Sequence, residues 1–199
     1  MKISIISTSH RKNSQSKRIS NIFKNVIFKI NNSTECFNLD MFDSNIPLWT
    51  SEKKENSNFW EKEFKKISLE LNSSDGFIFI VPEYGGMAAP NSKNFFLVFN
   101  NGELFHKPGL IVSISSGNGG AYPISELRSS SYKNSHIMWI PENIIIRNVE
   151  QFSPGKHGKS IPPWIDNRIT YSCDLLLKYS KYLKPIQKYI NRKDFSNGM

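Results

Sequence analysis

With 199 residues, 38% of them hydrophobic and 22% charged, the chain suits one globular domain spanning positions 1–199. Its longest apolar runs, such as 95–99 and 110–114, fall far short of the ~20 residues a membrane helix needs, and no apolar leader segment follows the first residues, so the expectation is a cytoplasmic protein with no membrane partner. A net charge of +9 raises nucleic-acid binding, but the cations at Arg11-Lys12, Lys17-Arg18, Lys53-Lys54, Lys65-Lys66 and 178–193 often stand beside acids or on helix faces opposite apolar ones, so no nucleic-acid partner is expected.

In chain order, residues 3–6 read as a short buried strand, and Ser7 to Ser16 as a turn crowded with hydroxyls and cations. Ile19, Ile22, Phe23, Val26 and Ile30 then recur at helical spacing, which puts that turn at a helix N-terminus, where free amides and the helix dipole favour an anion. Serine capping accounts for one or two of the hydroxyls. A second strand is expected at 35–39, followed by a helix marked by Trp60, Phe64, Ile67 and Leu71. The apolar run 77–81 is the third strand, and it empties into Pro82-Glu83-Tyr84-Gly85-Gly86-Met87, a pliant loop that opens a helix through 95–99. Ligands of open α/β sheets bind outside the carboxyl ends of the strands, and the two glycines let backbone amides approach a flat ligand closely. Strand 110–114 leads into Ser115-Ser116-Gly117-Asn118-Gly119-Gly120 and a helix carrying Tyr122, Ile124 and Leu127. A last strand at 137–140, extended by 144–149, precedes a helix over 165–183. This alternation gives a five-stranded parallel sheet in the order 2-1-3-4-5, whose switch point brings the first and third strand ends together.

Other constellations give less. Cys36 and Cys173 cannot make a disulfide framework, no Cys/His spacing suggests zinc, and Cys173 shares a helical face with Ile165, Ile169 and Leu176. His10 falls in the first loop, whereas His106, His136 and His157 have no metal or triad spacing. The segment Gly155-Lys156-His157-Gly158-Lys159-Ser160 ends like a phosphate loop, but Ser153 stands where its first Gly is needed and Pro162-Pro163 follow at once.

The three loops together resemble the NAD(P)H-dependent FMN reductase family of flavodoxin-like proteins. The family's first loop reads Gly-Ser-x-Arg-x-x-Ser-x-Asn; Ser9, Arg11 and Ser14 match, with Thr8 for the Gly and Ser16 for the Asn. Its second reads Pro-Glu-Tyr-Asn, then Leu-Lys-Asn at a helix start; Pro82, Glu83, Tyr84, Lys93 and Asn94 match, with Gly85 for Asn and Ser92 for Leu. The third loop, ahead of Leu127-Arg128, matches the family's Gly-Gly element but is one residue short. The resemblance covers roughly residues 1–135 and implies an α/β, flavodoxin-like three-layer sandwich.

It also implies FMN and NAD(P)H as cofactors, with electrons passed to a flavin, quinone or similar small-molecule acceptor by a ping-pong mechanism. Arg11 would pair with the FMN phosphate, helped by Ser9, Ser14 and Ser16. The backbone of Glu83, Tyr84, Gly85, Gly86 and Met87 and of Gly117, Asn118, Gly119 and Gly120 would grip the isoalloxazine edge, with Pro82 and Ser116 also in the cofactor site and Tyr84 lying against the ring. No catalytic acid or base and no metal is expected, because the flavin carries the chemistry. Homodimers or homotetramers are usual in the family. The competing reading is a non-catalytic, FMN-binding electron carrier or binding module, although such carriers tend to be acidic and this chain has a pI near 9.5.

Overall fold

A computed structural model describes residues 1–50, 58–152, 160–191 and 193–194. The Lys53-Lys54 pair, His157 and the phosphate-loop look-alike up to Lys159 lie outside these residues.

Strict alternation decides the middle of the sheet. In β3 (Gly76–Tyr84), Phe77, Phe79 and Val81 enter the core on one face while Ile78 and Ile80 enter it on the other. A strand buried on both sides needs parallel neighbours whose connecting helices cover both faces. β1 (Lys2–Ser7) and β5 (Pro108–Ile114) flank it, β2 (Glu35–Asp40) pairs with β1, and β6 (Met138–Ile146) pairs with β5, all in parallel. The order β2-β1-β3-β5-β6 is the expected 2-1-3-4-5 once the two-residue strand β4 (Met87–Ala88), which pairs only with β3, is set aside.

α1 (Gln15–Ile30) and α6 (Pro163–Leu183) cover one face, burying Ile19, Phe23 and Ile27 from α1 and Ile165, Ile169, Cys173 and Leu176 from α6. α2 (Phe64–Ser73), α3 (Pro90–Val98) and α4 (Ala121–Ser130) cover the other with Ile67, Leu71, Phe95, Val98 and Leu127; a single turn, α5 (Tyr132–Ser135), follows α4. Burying large apolar side chains at ~25 cal/mol per Å² is what holds these layers together.

Three expectations shift. The third strand runs on to Tyr84, so Pro82, Glu83 and Tyr84 are strand residues and not loop. The fifth is one continuous strand ending at Ile146, and Val149 opens a 3-10 turn, Val149–Phe152. Tyr122 points to solvent at the start of α4 instead of entering the core. β6 stays continuous by bulging: Gly109 faces Trp139 but Ile111 faces Asn143, so Ile140, Pro141 and Glu142 stand opposite one residue of β5. Pro141, which has no amide hydrogen, is tolerated in a bulge on an edge strand.

At the end of the sheet away from the loops, buried Lys107 closes α2. Its Nζ donates to the carbonyls of Leu71 at 3.1 Å and Asn72 at 2.7 Å, in the last turn of α2 where helix carbonyls run out of intrahelical partners, and to the Glu103 carbonyl at 2.8 Å.

Candidate functional site

The loop after β1 is built by its hydroxyls. Thr8 donates its backbone amide to the Ile80 carbonyl at 3.1 Å and its hydroxyl to the same oxygen at 3.2 Å, and Ser92 of α3 donates to the Thr8 hydroxyl at 2.7 Å. Ser9 is fully buried, with Oγ 2.7 Å from the Tyr84 Oη and accepting the Arg11 amide at 3.1 Å. Asn13 takes a left-handed φ of 53°, and Ser14 caps α1 by accepting the Lys17 amide at 3.2 Å. Ser16, one residue inside the helix, is different: its Oγ is buried and has no hydrogen-bond partner among the described residues.

The second loop is a hairpin. Tyr84 pairs with Met87 and Glu83 with Ala88, leaving Gly85 (φ 58°) and Gly86 (φ 75°) as its two turn residues. Positive φ at both central positions is the condition of the tight turn that matches strand twist, and Asn and Gly are the residues that meet it most readily. Gly85 therefore meets this condition without the side-chain amide that Asn would bring. Arg11 Cζ lies 6.0 Å from the Tyr84 ring centroid and the His10 ring 5.0 Å away, edge to face, so this ring is wedged beneath the first loop.

Glu83 joins the second loop to the third. Its Oε2 accepts the Gly120 amide at 2.6 Å, and a Cβ on Gly119 would fall 2.1 Å from Oε1. Gly120 itself sits at φ 107° where α4 begins. On the far side, Arg147 Nε donates to the Gly119 carbonyl at 3.1 Å and the Asn148 amide to Gly117 at 2.9 Å, so the loop is held from both sides.

Between the first and second loops lies a cleft of about 150 Å³, at the β1/β3 switch point. Of the residues expected there, Arg11, Ser14, Ser16, Pro82, Glu83, Tyr84 and Ser116 line it. Ser9 faces inward onto Tyr84, while Gly85, Gly86 and Met87, with Gly117, Asn118 and Gly119, form its surroundings and not its wall. Lys12, Asn13, Gln15, Ile114, Val149 and Glu150 also line it and were not anticipated. The signal existed for the last two: they follow the end of a sheet strand, where such crevices open. Lys93 and Asn94, matched to the family motif, serve as fasteners. Lys93 pairs with Glu126 at 3.0 Å, and Asn94 accepts the Trp49 amide at 2.8 Å and donates to the Pro47 carbonyl at 2.9 Å, tying down the segment after β2.

The cleft thus offers two cations, several hydroxyls and an unpaired buried Oγ at a helix N-terminus, above an apolar floor of Pro82 and Ile114. That donor set suits a terminal phosphate carried by a partly apolar molecule. Both thiols are pushed up by burial and lie in or against the core, away from the cleft. Among the described residues no group of three or more His, Cys, Asp or Glu is placed to hold a metal, and no helix is long and apolar enough to cross a membrane.

The family model for NADPH-dependent FMN reductase matches residues 1–151. No curated protein matches. Among solved structures, the chain is similar to the apo form of an NADH:FMN oxidoreductase, EmoB (TM-score 0.71, 12% identity, covering 92% of this chain and 90% of that one). It is also similar to FerB, a flavoenzyme NAD(P)H:acceptor oxidoreductase from Paracoccus denitrificans (TM-score 0.65, 17% identity, 92% and 98% covered), and to the azoreductase AzrA (TM-score 0.56, 13% identity, 93% and 100% covered). At these identities the structures support the fold, while the family model supports the kinship.

Proposed function

Because this chain belongs to the NADPH-dependent FMN reductase family, we propose that it is an NAD(P)H-dependent flavin oxidoreductase that holds FMN in the cleft between β1 and β3 and passes electrons to a small-molecule acceptor such as a flavin or quinone. The observation that carries this reading is the Ser16 hydroxyl, buried and without a partner at the N-terminus of α1, where a phosphate would complete it. The residues present fit the cofactor. Arg11 and Lys12 supply charge, Ser14 and Ser16 hydroxyls, and the first turn of α1 its free amides.

FMN held there would supply the redox chemistry, hydride transfer from NAD(P)H and reduction of the acceptor. The chain positions and shields. Tyr84, held by Ser9, walls one side; Pro82 and Ile114 exclude water from the floor; Glu83, by gripping Gly120, sets the third loop at the rim. No side chain is asked to act as a general acid or base. With no dinucleotide fingerprint in the sequence, donor and acceptor meet the flavin through this same cleft in turn.

The visible spectrum of the purified protein, followed by anaerobic addition of NADPH, tests this. Flavin that co-purifies, or binds when added, and is rapidly bleached supports a reductase. Flavin that binds but stays oxidised points to an electron carrier or binding module, and absence of binding overturns the reading.

A further inference from the structure

Beyond the third loop lies a second, larger opening of about 440 Å³, within the ~300–1,000 Å³ common for small-molecule sites. It is walled by the second half of β6 and the first turns of α6, and Arg147, Trp164 and Arg168 line it. Trp164 is 69% exposed, and its indole has no aromatic partner among the described residues. Arg147 spends Nε on the Gly119 carbonyl, and among the described residues its two Nη groups have no hydrogen-bond partner. Arg168 donates to Glu142 Oε1 at 2.6 Å but keeps 56% of its side chain exposed, against 13% for Glu142, so its outer edge is open to an anion.

A planar ring with one face to spare beside two guanidinium groups is the chemistry that stacks a purine and forks a phosphate. Position narrows the choice. Asn143, Ile144, Ile145 and Arg147 wall this groove, and two residues further along Val149 and Glu150 wall the cleft, so one continuous stretch of chain joins the two openings. Arg147 lines the groove and, by holding the Gly119 carbonyl, fixes the loop that stands between the two openings.

We propose that the groove takes the adenosine 2′-phosphate end of NADPH, which leaves the nicotinamide end to reach the cleft past Gly119; the assignment rests on the reductase reading above. Trp164 stacks the adenine, and Arg147 and Arg168 pair with the 2′-phosphate. NADH, which lacks that phosphate, leaves both arginines unused, so the chain discriminates in favour of NADPH.

Calorimetric titration of the full chain with adenosine 2′,5′-bisphosphate and with adenosine 5′-monophosphate tests the groove without nicotinamide chemistry. The bisphosphate is expected to bind about tenfold more tightly or better, on the scale of a charge-assisted contact. Arg168→Ala should erase most of that difference, and Trp164→Ala should weaken both ligands. Both side chains are exposed, and unchanged circular dichroism confirms that the variants fold. In turnover, the ratio of kcat/KM for NADPH over NADH should fall towards one in Arg168→Ala. Equal binding of the two adenosine phosphates, no binding of either, or bisphosphate affinity unchanged in both variants overturns the groove assignment. Bisphosphate binding without any FMN binding or bleaching supports the groove as an adenosine phosphate site and overturns the reductase reading, so the two failures are separable.

Discussion

The hydroxyl of Ser9 lies 2.7 Å from the phenol oxygen of Tyr84, a single bond that ties the loop after β1 to the end of β3 across the switch point of the sheet. Tyr84→Phe keeps the ring and removes this link, leaving the buried Ser9 Oγ with only the Arg11 amide. Stability should fall by about 1 kcal/mol, the ordinary net worth of a hydrogen bond, as read from urea unfolding. An unchanged midpoint would mean that the loop is fixed by Thr8 alone.

Ser16 and Arg11 should separate binding from folding. The Ser16 hydroxyl makes no bond among the described residues, so Ser16→Ala should leave the apo protein as stable as the parent or slightly more so. Its FMN affinity should nonetheless drop. Arg11→Ala should weaken FMN by roughly 1.5 to 3 kcal/mol, the range for hydrogen bonds to charged groups. Fluorescence quenching on titration with FMN measures both, and equal affinity of variants and parent would remove the phosphate from this loop.

The two glycine loops should fail for different reasons. Gly86 has no atom within 4 Å of where a Cβ would stand, but its φ is 75°, so Gly86→Val strains the backbone turn without a clash. Gly119 has ordinary φ, but its added Cβ would meet Glu83, so Gly119→Ala must push that carboxylate off the Gly120 amide. Both should reduce FMN affinity. Glu83→Ala, which removes the same hold on Gly120, should add little further loss to Gly119→Ala but its full loss to Gly86→Val, which distinguishes displacement of Glu83 from backbone strain.

Lys107 gives a pH dependence with a definite sign. Burial lowers its pKa to about 8, whereas an unfolded lysine titrates near ~10.4. Between those values the unfolded chain binds more protons, so this group adds stability as pH rises and loses it as pH falls through about 8. The difference in unfolding free energy between the parent and Lys107→Met should therefore move in favour of the parent from pH 8 to pH 10. A constant difference would show that Lys107 stays charged throughout, held by its three carbonyls.

Steady-state kinetics with varied NAD(P)H and acceptor should give parallel double-reciprocal lines, since both are proposed to use one cleft in turn. Intersecting lines would require donor and acceptor to be held together.

The central strands β1, β3 and β5 were legible because each is a short run buried on both faces, and the order of the sheet because the loops punctuate the strands with Gly, Ser or Asn. The hairpin was written in the same letters, Gly85-Gly86 between residues that pair, yet a two-residue strand has no periodicity to read. The roles of Glu83 and Ser9 were not legible. Ser9 was expected to offer its hydroxyl to a ligand and Glu83 its backbone, and both spend a side-chain oxygen on the protein, Glu83 on the Gly120 amide and Ser9 on Tyr84 and Arg11. Whether a polar side chain turns outward or inward depends on contacts 37 or 75 residues away, which no local pattern encodes. Lys107 was invisible for the same reason: nothing local announces a buried lysine that caps a distant helix.

The bulge at Pro141 reaches beyond local geometry. An open sheet edge invites another strand to continue its ladder, the route by which β-rich chains aggregate or swap segments. β6 refuses this in its middle, where three residues leave the register and one of them has no hydrogen to donate. Another copy of this chain therefore cannot extend the sheet across the middle of β6, and the groove beside that strand suits a compact ligand better than an extended peptide.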